Sequence, residues 1–343
     1  MVKLIVIGFG NVGQSLATIL RLRSSWFRRE YGLDMKVVAV VDRGGAAIAR
    51  YGLDLSQVLE AKRHRGSVSA VKHWGKPHFS ALEALEEVGG DIVIETSSTS
   101  LESGEPGLSH IKSALALKKH VVTTNKGSLA LSLPYLIDLA CRNEVQLRFS
   151  GAVGGGMPVL DFAKDILYGE KIESIRGVLN GTTNYVLWSM AEKNIELQEA
   201  VSEAQALGYT EKNVLYDLEG FDTACKLVIL ANWVMNRKAT LKDVEIRGIR
   251  GVSLQDVPNA EKEGFAIRLI GSISRRMAVH PERITLRDPL CVGSALNAVA
   301  FDCAYSGQHV LIGQGAGGRE TAASVIRDTV HISRECGLSD DVV

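Results

Sequence analysis

The stretch that most limits what this chain can fold into is Gly8-Phe9-Gly10-Asn11-Val12-Gly13, set between the apolar run 3–7 and a helical pattern over 12–23. A bare Gly-x-Gly-x-x-Gly is a weak signal, but strand, fingerprint and helix in that order are what a dinucleotide site requires. Gly8 permits the tight turn, Gly10 lets backbone approach a pyrophosphate, and Gly13 lets the helix pack closely on the strand. The helix N-terminus then offers free N–H groups and the positive end of its dipole to phosphate. The six residues Gly8, Phe9, Gly10, Asn11, Val12 and Gly13 are therefore expected to face a cofactor.

Further apolar runs at 36–41, 91–95, 120–124 and 145–149 alternate with helical patterns such as 109–118 and 133–143. Continuous apolar strands alternating with helices indicate a parallel sheet covered on both faces. Asp42 ends the second of these runs, where a carboxylate typically binds the ribose hydroxyls of NAD. It comes later than the usual spacing of about twenty residues, and the arginine-rich segment 21–32 accounts for the delay by lengthening the first helix. Arg43 can receive a 2′-phosphate or stack on adenine, so either NAD or NADP is the expected cofactor. Thr96 and Ser97 follow the run 92–95 and fall at the carboxyl edge of the sheet, where nucleotide ligands sit.

The pattern changes at Ser150-Gly151-Ala152-Val153-Gly154-Gly155-Gly156-Met157-Pro158. A helix over 158–168, a strand over 174–179, a turn over 180–184 and helices to about 235 are expected after it. Strand-like segments follow at 244–249, 265–274, 277–286, 297–303 and 309–312. Strands mixed with helices read as an α+β domain. The fold class is thus α/β: a Rossmann-type doubly wound parallel sheet over 1–149, then an α+β catalytic and dimerisation domain over 150–317. The terminal helix, about 318–343, is expected to pack back on the first domain.

A second chemical signal lies in the later part. Gly208-Tyr209-Thr210-Glu211 is followed by Asp217, Glu219, Asp222 and Lys226, leading into the apolar run Leu227-Val228-Ile229-Leu230-Ala231. Asp222 and Lys226 are four apart and share a helix face. Buried charges are costly unless paired or functional. A lone pair of this kind reads as a helical ion pair; a nucleotide fingerprint in the same chain favours catalysis. Thr182 and Thr183, between a strand and a helical stretch, are expected to combine helix capping with positioning of a substrate pocket.

Composition removes other classes. Lys+Arg and Asp+Glu balance at 39 each, which gives a nucleic-acid partner no electrostatic support. No apolar run has the roughly eighteen residues that a membrane span needs. The start reads as a strand rather than a signal peptide, and five dispersed cysteines without a CxxC pair suit a reducing cytoplasm.

With GFGNVG, HVVTTNKG at 120–127, AVGGGMP at 152–158, NGTTNY at 180–185, the 208–226 element, DPL…ALNA at 288–298 and GQGAGGRETA at 313–322 in order, nearly the whole chain resembles homoserine dehydrogenase. It is closest to the short form without a C-terminal ACT regulatory domain. The resemblance implies reversible NAD(P)-dependent interconversion of L-homoserine and L-aspartate 4-semialdehyde, within threonine, methionine and isoleucine biosynthesis. It makes Lys226 the proton donor, since an ammonium group can protonate a developing alkoxide and stabilise its charge. Asp222 matches the carboxylate at the substrate hydroxyl, and Glu211 the one holding the substrate amino group, with Asp217 in the same polar network. Lys126 matches a second lysine at the junction of substrate and nicotinamide. Gly208 and Tyr209 match a turn that shapes the pocket, and Gly315 and Gly317 a late glycine loop returning to the cofactor.

The chain departs from the family in two places. It reads Glu211-Lys212-Asn213-Val214 where relatives often read Glu-x-Asp-Pro. It also has Ser150 where they carry a glutamate that helps bind a monovalent cation, Na or K. Such an ion is left with the carbonyls of Val153, Gly155 and Met157, so weak binding or none is expected. Two other readings stand beside this one. A semialdehyde dehydrogenase forming a thioacyl intermediate needs an activated cysteine and a histidine base. A non-catalytic NAD(P) sensor would be expected to lack the carboxylates and lysines found here. The expected partners are a small-molecule substrate and a second copy of the chain in a homodimer.

Overall fold

The computed structural model describes residues 1–210 and 214–338. The chain divides into two compact units, one made of Met1–Ala152 with Gly318–Val343 and the other of Val153–Gly317.

In the first unit, β1 (Val2–Ile7) leads through α1 (Asn11–Tyr31) to β2 (Met35–Asp42) and then β3 (Gly45–Ile48). There follow α2 (Leu55–Arg65), β4 (Gly75–Pro77), α3 (Ala81–Glu87), β5 (Ile92–Glu95), α4 (Gly107–Ala116), β6 (His120–Thr123), α5 (Lys126–Arg142) and β7 (Leu147–Arg148). The sheet order is β4-β3-β2-β1-β5-β6-β7. β1 pairs in parallel with both β2 and β5, and β6 is parallel to β5 and β7. The strand order therefore reverses at β1, the point where an open α/β sheet leaves a crevice at its carboxyl ends.

The five expected runs all form strands of this parallel array. The sheet also carries an antiparallel edge, β2–β3–β4, that the sequence reading did not anticipate. β3 reads Gly-Ala-Ala-Ile and β4 Gly-Lys-Pro, without the β-branched or aromatic residues that mark strands. Pairing makes them strands; Arg43 and Gly44 form the β2–β3 turn, and Gly45 opens β3 at φ +135°.

α1 runs to Tyr31 and stops at Gly32, whose left-handed backbone sends its N–H to Arg28 O, a glycine stop of the usual kind. The segment 21–32 thus extends the helix as expected. The last helix, α12 (Gly318–Glu335), contributes Ala322, Val325 and Ile332 to a core shared with Leu16, Leu20 and Phe27 of α1 and Leu4 and Val6 of β1.

The second unit begins with α6 (Val159–Asp161), which continues into a π-turn over Phe162–Ile166, and β8 (Ile172–Val178). Four helices follow: α7 (Gly181–Lys193), α8 (Leu197–Ala206), α9 (Leu215–Leu218) and α10 (Phe221–Trp233). The remainder is β9 (Val244–Ile246), α11 (Asp256–Lys262), β10 (Phe265–Ile273), β11 (Met277–Thr285), β12 (Leu296–Cys303) and β13 (Gly307–Gln314). The sheet order is β13-β12-β8-β10-β11-β9, antiparallel except between β9 and β11. Residues 180–184, expected to be a turn, instead start α7. Asn180 caps it, and the helix begins at Gly181.

Candidate active site

The residues singled out from the sequence gather in two constellations, one in each unit. In the first, Gly8 takes φ +91° and a β-carbon there would lie 2.5 Å from Ser97 N. A β-carbon on Gly13 would lie 2.4 Å from Gly8 O. The protein itself thus imposes glycine at both positions. Around Gly10 a β-carbon would meet nothing within 4 Å. Gly10 is also the N-cap of α1, with no side-chain cap and no acidic residue in the first turn. Open space, uncapped N–H groups and a positive helix end together fit a phosphate-bearing cofactor. Thr96 closes the loop by donating its hydroxyl to Gly8 O at 2.8 Å.

Asp42 stands at the end of β2, where the sequence places it, but its carboxylate is fully engaged within the protein. Oδ1 accepts from Ser67 Oγ at 2.7 Å and Gly44 N at 2.9 Å. Oδ2 accepts from Lys62 Nζ at 2.7 Å and Val68 N at 3.1 Å. Burial opposes its charge, yet Lys62, Ser67 and the two backbone donors hold it below the ordinary carboxylate range. Four donors fill the acceptor sites of a carboxylate, so a ribose hydroxyl would have to displace or share one. The basic segment 62–65 reads from the sequence as a fallback candidate for a cofactor phosphate; Lys62 instead pairs with Asp42, twenty residues away across the β2–β3 hairpin. Arg43 is exposed.

At the next carboxyl edges lie Ser97 and Lys126. Lys126 is the first residue of α5, whose N-cap Asn125 accepts from Ser128 N. Glu95, the last residue of β5, is fully buried and accepts from Ser97 N at 3.0 Å and Thr123 Oγ1 at 3.0 Å. It was not singled out from the sequence, where it reads as the end of an apolar run.

In the second unit, Asp222 and Lys226 share one face of α10, their charged groups 2.8 Å apart and both residues buried. Lys226 Nζ also donates to Leu179 O. Asn180 brings the remaining pieces together. Its Nδ2 donates to Asp217 Oδ1 at 2.7 Å and Asp222 Oδ2 at 2.9 Å, while its Oδ1 accepts from Thr183 N at 2.8 Å. Capping therefore belongs to Asn180, rather than to Thr182 and Thr183 as expected. Its carboxamide oxygen reaches the third N–H of the helix and leaves the amide NH2 for the carboxylates. An asparagine before Gly-Thr-Thr is the sequence signal that identifies such a cap.

Thr182 Oγ1 donates to Tyr209 O at 3.3 Å and Thr210 Oγ1 to Asp217 Oδ2 at 3.4 Å. Gly208 takes the left-handed turn, φ +76°, that brings Tyr209 back to α7. Residues 180–183, 208–210 and 217–226 thus form one polar cluster. Glu211 lies outside the described residues.

The glycine-rich loop folds against residues 313–316. Gly155, at φ +57°, packs so closely that a β-carbon would lie 2.6 Å from Gly315 C, and Gly315 in turn leaves room for the amide of Asn297. The carbonyl of Met157 accepts from Val159 N at 2.9 Å, and Val153 is buried. Among the described residues no group of three or more His, Cys, Asp or Glu is placed to hold a metal ion. Ser150, where the resemblance implies a glutamate, is bound to buried Asp328 of α12, through N at 2.9 Å and Oγ at 2.7 Å. The thioacyl alternative finds Cys336 Sγ 4.0 Å from His120 Nδ1. That nitrogen already accepts from Gln146 N, and burial pushes the Cys336 thiol up, the reverse of an activated nucleophile.

Residues 8–150 match the family model for the homoserine dehydrogenase NAD-binding domain, and residues 158–330 the model for homoserine dehydrogenase. The chain belongs to the homoserine dehydrogenase family. It is 39% identical over 330 residues to homoserine dehydrogenase from Methanocaldococcus jannaschii, covering 96% of this chain and 98% of that protein. It is 38% identical to the NAD(+)-dependent homoserine dehydrogenase of Pseudomonas canavaninivorans, covering 96% of each. A hyperthermophilic archaeal homoserine dehydrogenase in complex with NADPH superposes with a TM-score of 0.85 at 29% identity, covering 97% of this chain and 98% of that one. Membership makes this chain an NAD(P)-dependent oxidoreductase acting on a CH–OH group. Among the described residues no helix is long and apolar enough to cross a membrane.

Proposed function

We propose that the chain interconverts L-homoserine and L-aspartate 4-semialdehyde in cytoplasmic amino-acid biosynthesis, with 1–149 and the terminal helix holding the cofactor and 150–317 supplying catalysis and the dimer contact. The observation that carries this is the buried Asp222–Lys226 pair tied to Asp217 through Asn180. A fully buried ion pair gives little net stability, so its retention beside a polar cluster argues for chemistry.

A bound nicotinamide cofactor supplies or accepts hydride at the substrate carbon. Gly8 to Gly13, Thr96 and Ser97 hold it, with Lys126 at the same sheet edge. Lys226 gives a proton to the developing alkoxide in reduction and receives it in the reverse direction. Asp222 pairs with the ammonium group at 2.8 Å and fixes its direction. Asp217 and Glu211 hold the substrate amino group, and Thr182, Gly208 and Tyr209 shape the pocket wall. A monovalent cation on the carbonyls of Val153, Gly155 and Met157 would have no charged ligand from Ser150.

The test is homoserine-dependent formation of NADH and NADPH at alkaline pH, with and without added phosphate. Turnover independent of phosphate supports the reading. A phosphate requirement with an acylating aldehyde substrate would replace it with the thioacyl chemistry. Glu211→Gln should raise the KM for homoserine more than it changes cofactor affinity, by the roughly 1.5–3 kcal/mol of a charge-assisted contact.

A further inference from the structure

We infer that Glu95 is a positioning residue that sets the cofactor edge of the first unit by tying together the two loops that follow β5 and β6. The inference rests on the reading above of Ser97 and Lys126 as residues of that edge. Glu95 is fully buried, and a buried carboxylate is costly unless donors or a counter-charge compensate it. Its two oxygens are divided between the loops. Oε1 accepts from both the backbone N–H and the hydroxyl of Ser97. Oε2 accepts from Thr123 Oγ1.

From Thr123 the connection continues. Its Oγ1 accepts from Asn125 N at 3.1 Å. Asn125 donates through Nδ2 to Ser98 O at 3.2 Å and caps α5 through Ser128 N at 3.2 Å. Lys126 is the next residue, the first of that helix. One carboxylate thus fixes Ser97 on one side and the cap that presents Lys126 on the other. His110 of α4 faces Glu95 with Nδ1 3.5 Å from Oε1. That nitrogen is buried and makes no hydrogen bond among the described residues, so the imidazole packs against the carboxylate and closes this side of the hub. Ser97 N is also the atom that a β-carbon on Gly8 would strike. A shift of Ser97 therefore reaches the fingerprint turn itself. Rigid second-layer support of this kind is what holds binding groups in register.

The test uses the purified full-length enzyme and titration with NADH. Glu95→Gln should raise the NADH dissociation constant about tenfold, the scale of a lost charge-assisted hydrogen bond. It should also lower kcat while leaving the KM for homoserine unchanged, because no hydrogen bond of the hub involves Asp217, Asp222 or Lys226. A role confined to folding would lower the melting temperature and leave the dissociation constant of the folded fraction as it was. Ser97→Ala alone should weaken NADH binding, and its combination with Glu95→Gln should be less than additive, since both remove one contact. If Glu95→Gln does not accumulate as soluble protein, the Thr123→Val and Ser97→Ala cycle asks the same question. Those two residues touch opposite oxygens of one carboxylate, so coupling between them is expected through it. Unchanged NADH affinity in Glu95→Gln beside a weakened Ser97→Ala overturns the hub and leaves the edge. Additive effects in both cycles do the same. If Ser97→Ala and Lys126→Ala both keep wild-type binding and turnover, the edge itself is misassigned and the hub falls with it.

Discussion

At the residue scale, Lys226 and Asp42 show how an ion pair can serve different ends. Lys226 is buried against Asp222 and a backbone carbonyl, so its ammonium is held in one place. Lys226→Ala should lower turnover by about two to four orders of magnitude while NADH titration shows nearly unchanged affinity. The variant should also melt lower, because removing one partner of a buried pair costs about 3–5 kcal/mol, and turnover is to be measured well below its transition. Asp42 is held by Lys62, Ser67 and two backbone N–H groups. Its folded pKa lies below the ordinary 3.8, so its contribution is present above that value and is lost as pH falls through the lowered one. Asp42→Asn should therefore destabilise by about 1–3 kcal/mol at neutral pH, with the gap to wild type closing in denaturant melts under strongly acidic conditions. Arg43, exposed beside it, should govern NADP more than NAD. Arg43→Ala is expected to weaken NADP binding selectively, and equal losses for both cofactors would reduce it to a stacking or solvent-facing residue.

At the scale of elements, the β1–α1 junction separates glycines required by the fold from one free for a ligand. Gly13→Ala places a β-carbon against Gly8 O and should cost about 1–3 kcal/mol as an overpacked contact. Gly10→Ala meets no protein atom, so it should leave the melting temperature close to wild type and raise the dissociation constant for NADH. A Gly10→Ala enzyme with unaltered cofactor affinity would argue against phosphate binding at this turn. The start of α7 follows a related logic. Asn180 caps the helix and joins two carboxylates, so Asn180→Ala should lose both the cap, about 0.5–2 kcal/mol, and the alignment of Asp222.

For the whole molecule, the second sheet leaves β13 at one edge, with Ile312 more than half exposed. β12 is paired on both sides, by β8 and β13. The homodimer we propose would therefore use the β13 side. An unprotected strand edge invites association with another chain, and cyclic dimers are the commonest oligomers. Light scattering at micromolar concentration should give twice the chain mass, with Ile312→Lys shifted toward monomer. A monomer for the wild-type chain would reject the dimer.

What the sequence determined by itself was periodic or local. Four of the five parallel strands were legible because each has an unbroken apolar core, as doubly covered strands do; β7, at the sheet edge, reads as an alternating Val-Gln-Leu-Arg-Phe. The fingerprint was legible because turn, phosphate approach and helix packing all act within six residues. Asp222 and Lys226 needed only the helical repeat. What the tertiary structure decided was every partnership made across the chain. β3 and β4 carry no strand composition and exist through pairing. Asp42 is claimed by Lys62 and Ser67, twenty and twenty-five residues away. Asn180 meets Asp217 and Asp222 only because α7, α9 and α10 converge, and Glu95 meets Thr123 because β5 and β6 lie side by side. A side chain's neighbours along the chain are fixed by the covalent repeat, whereas its neighbours through space depend on which strands the sheet sets together. Burial then makes those distant contacts binding, since a charge withdrawn from water must find its donors within the protein.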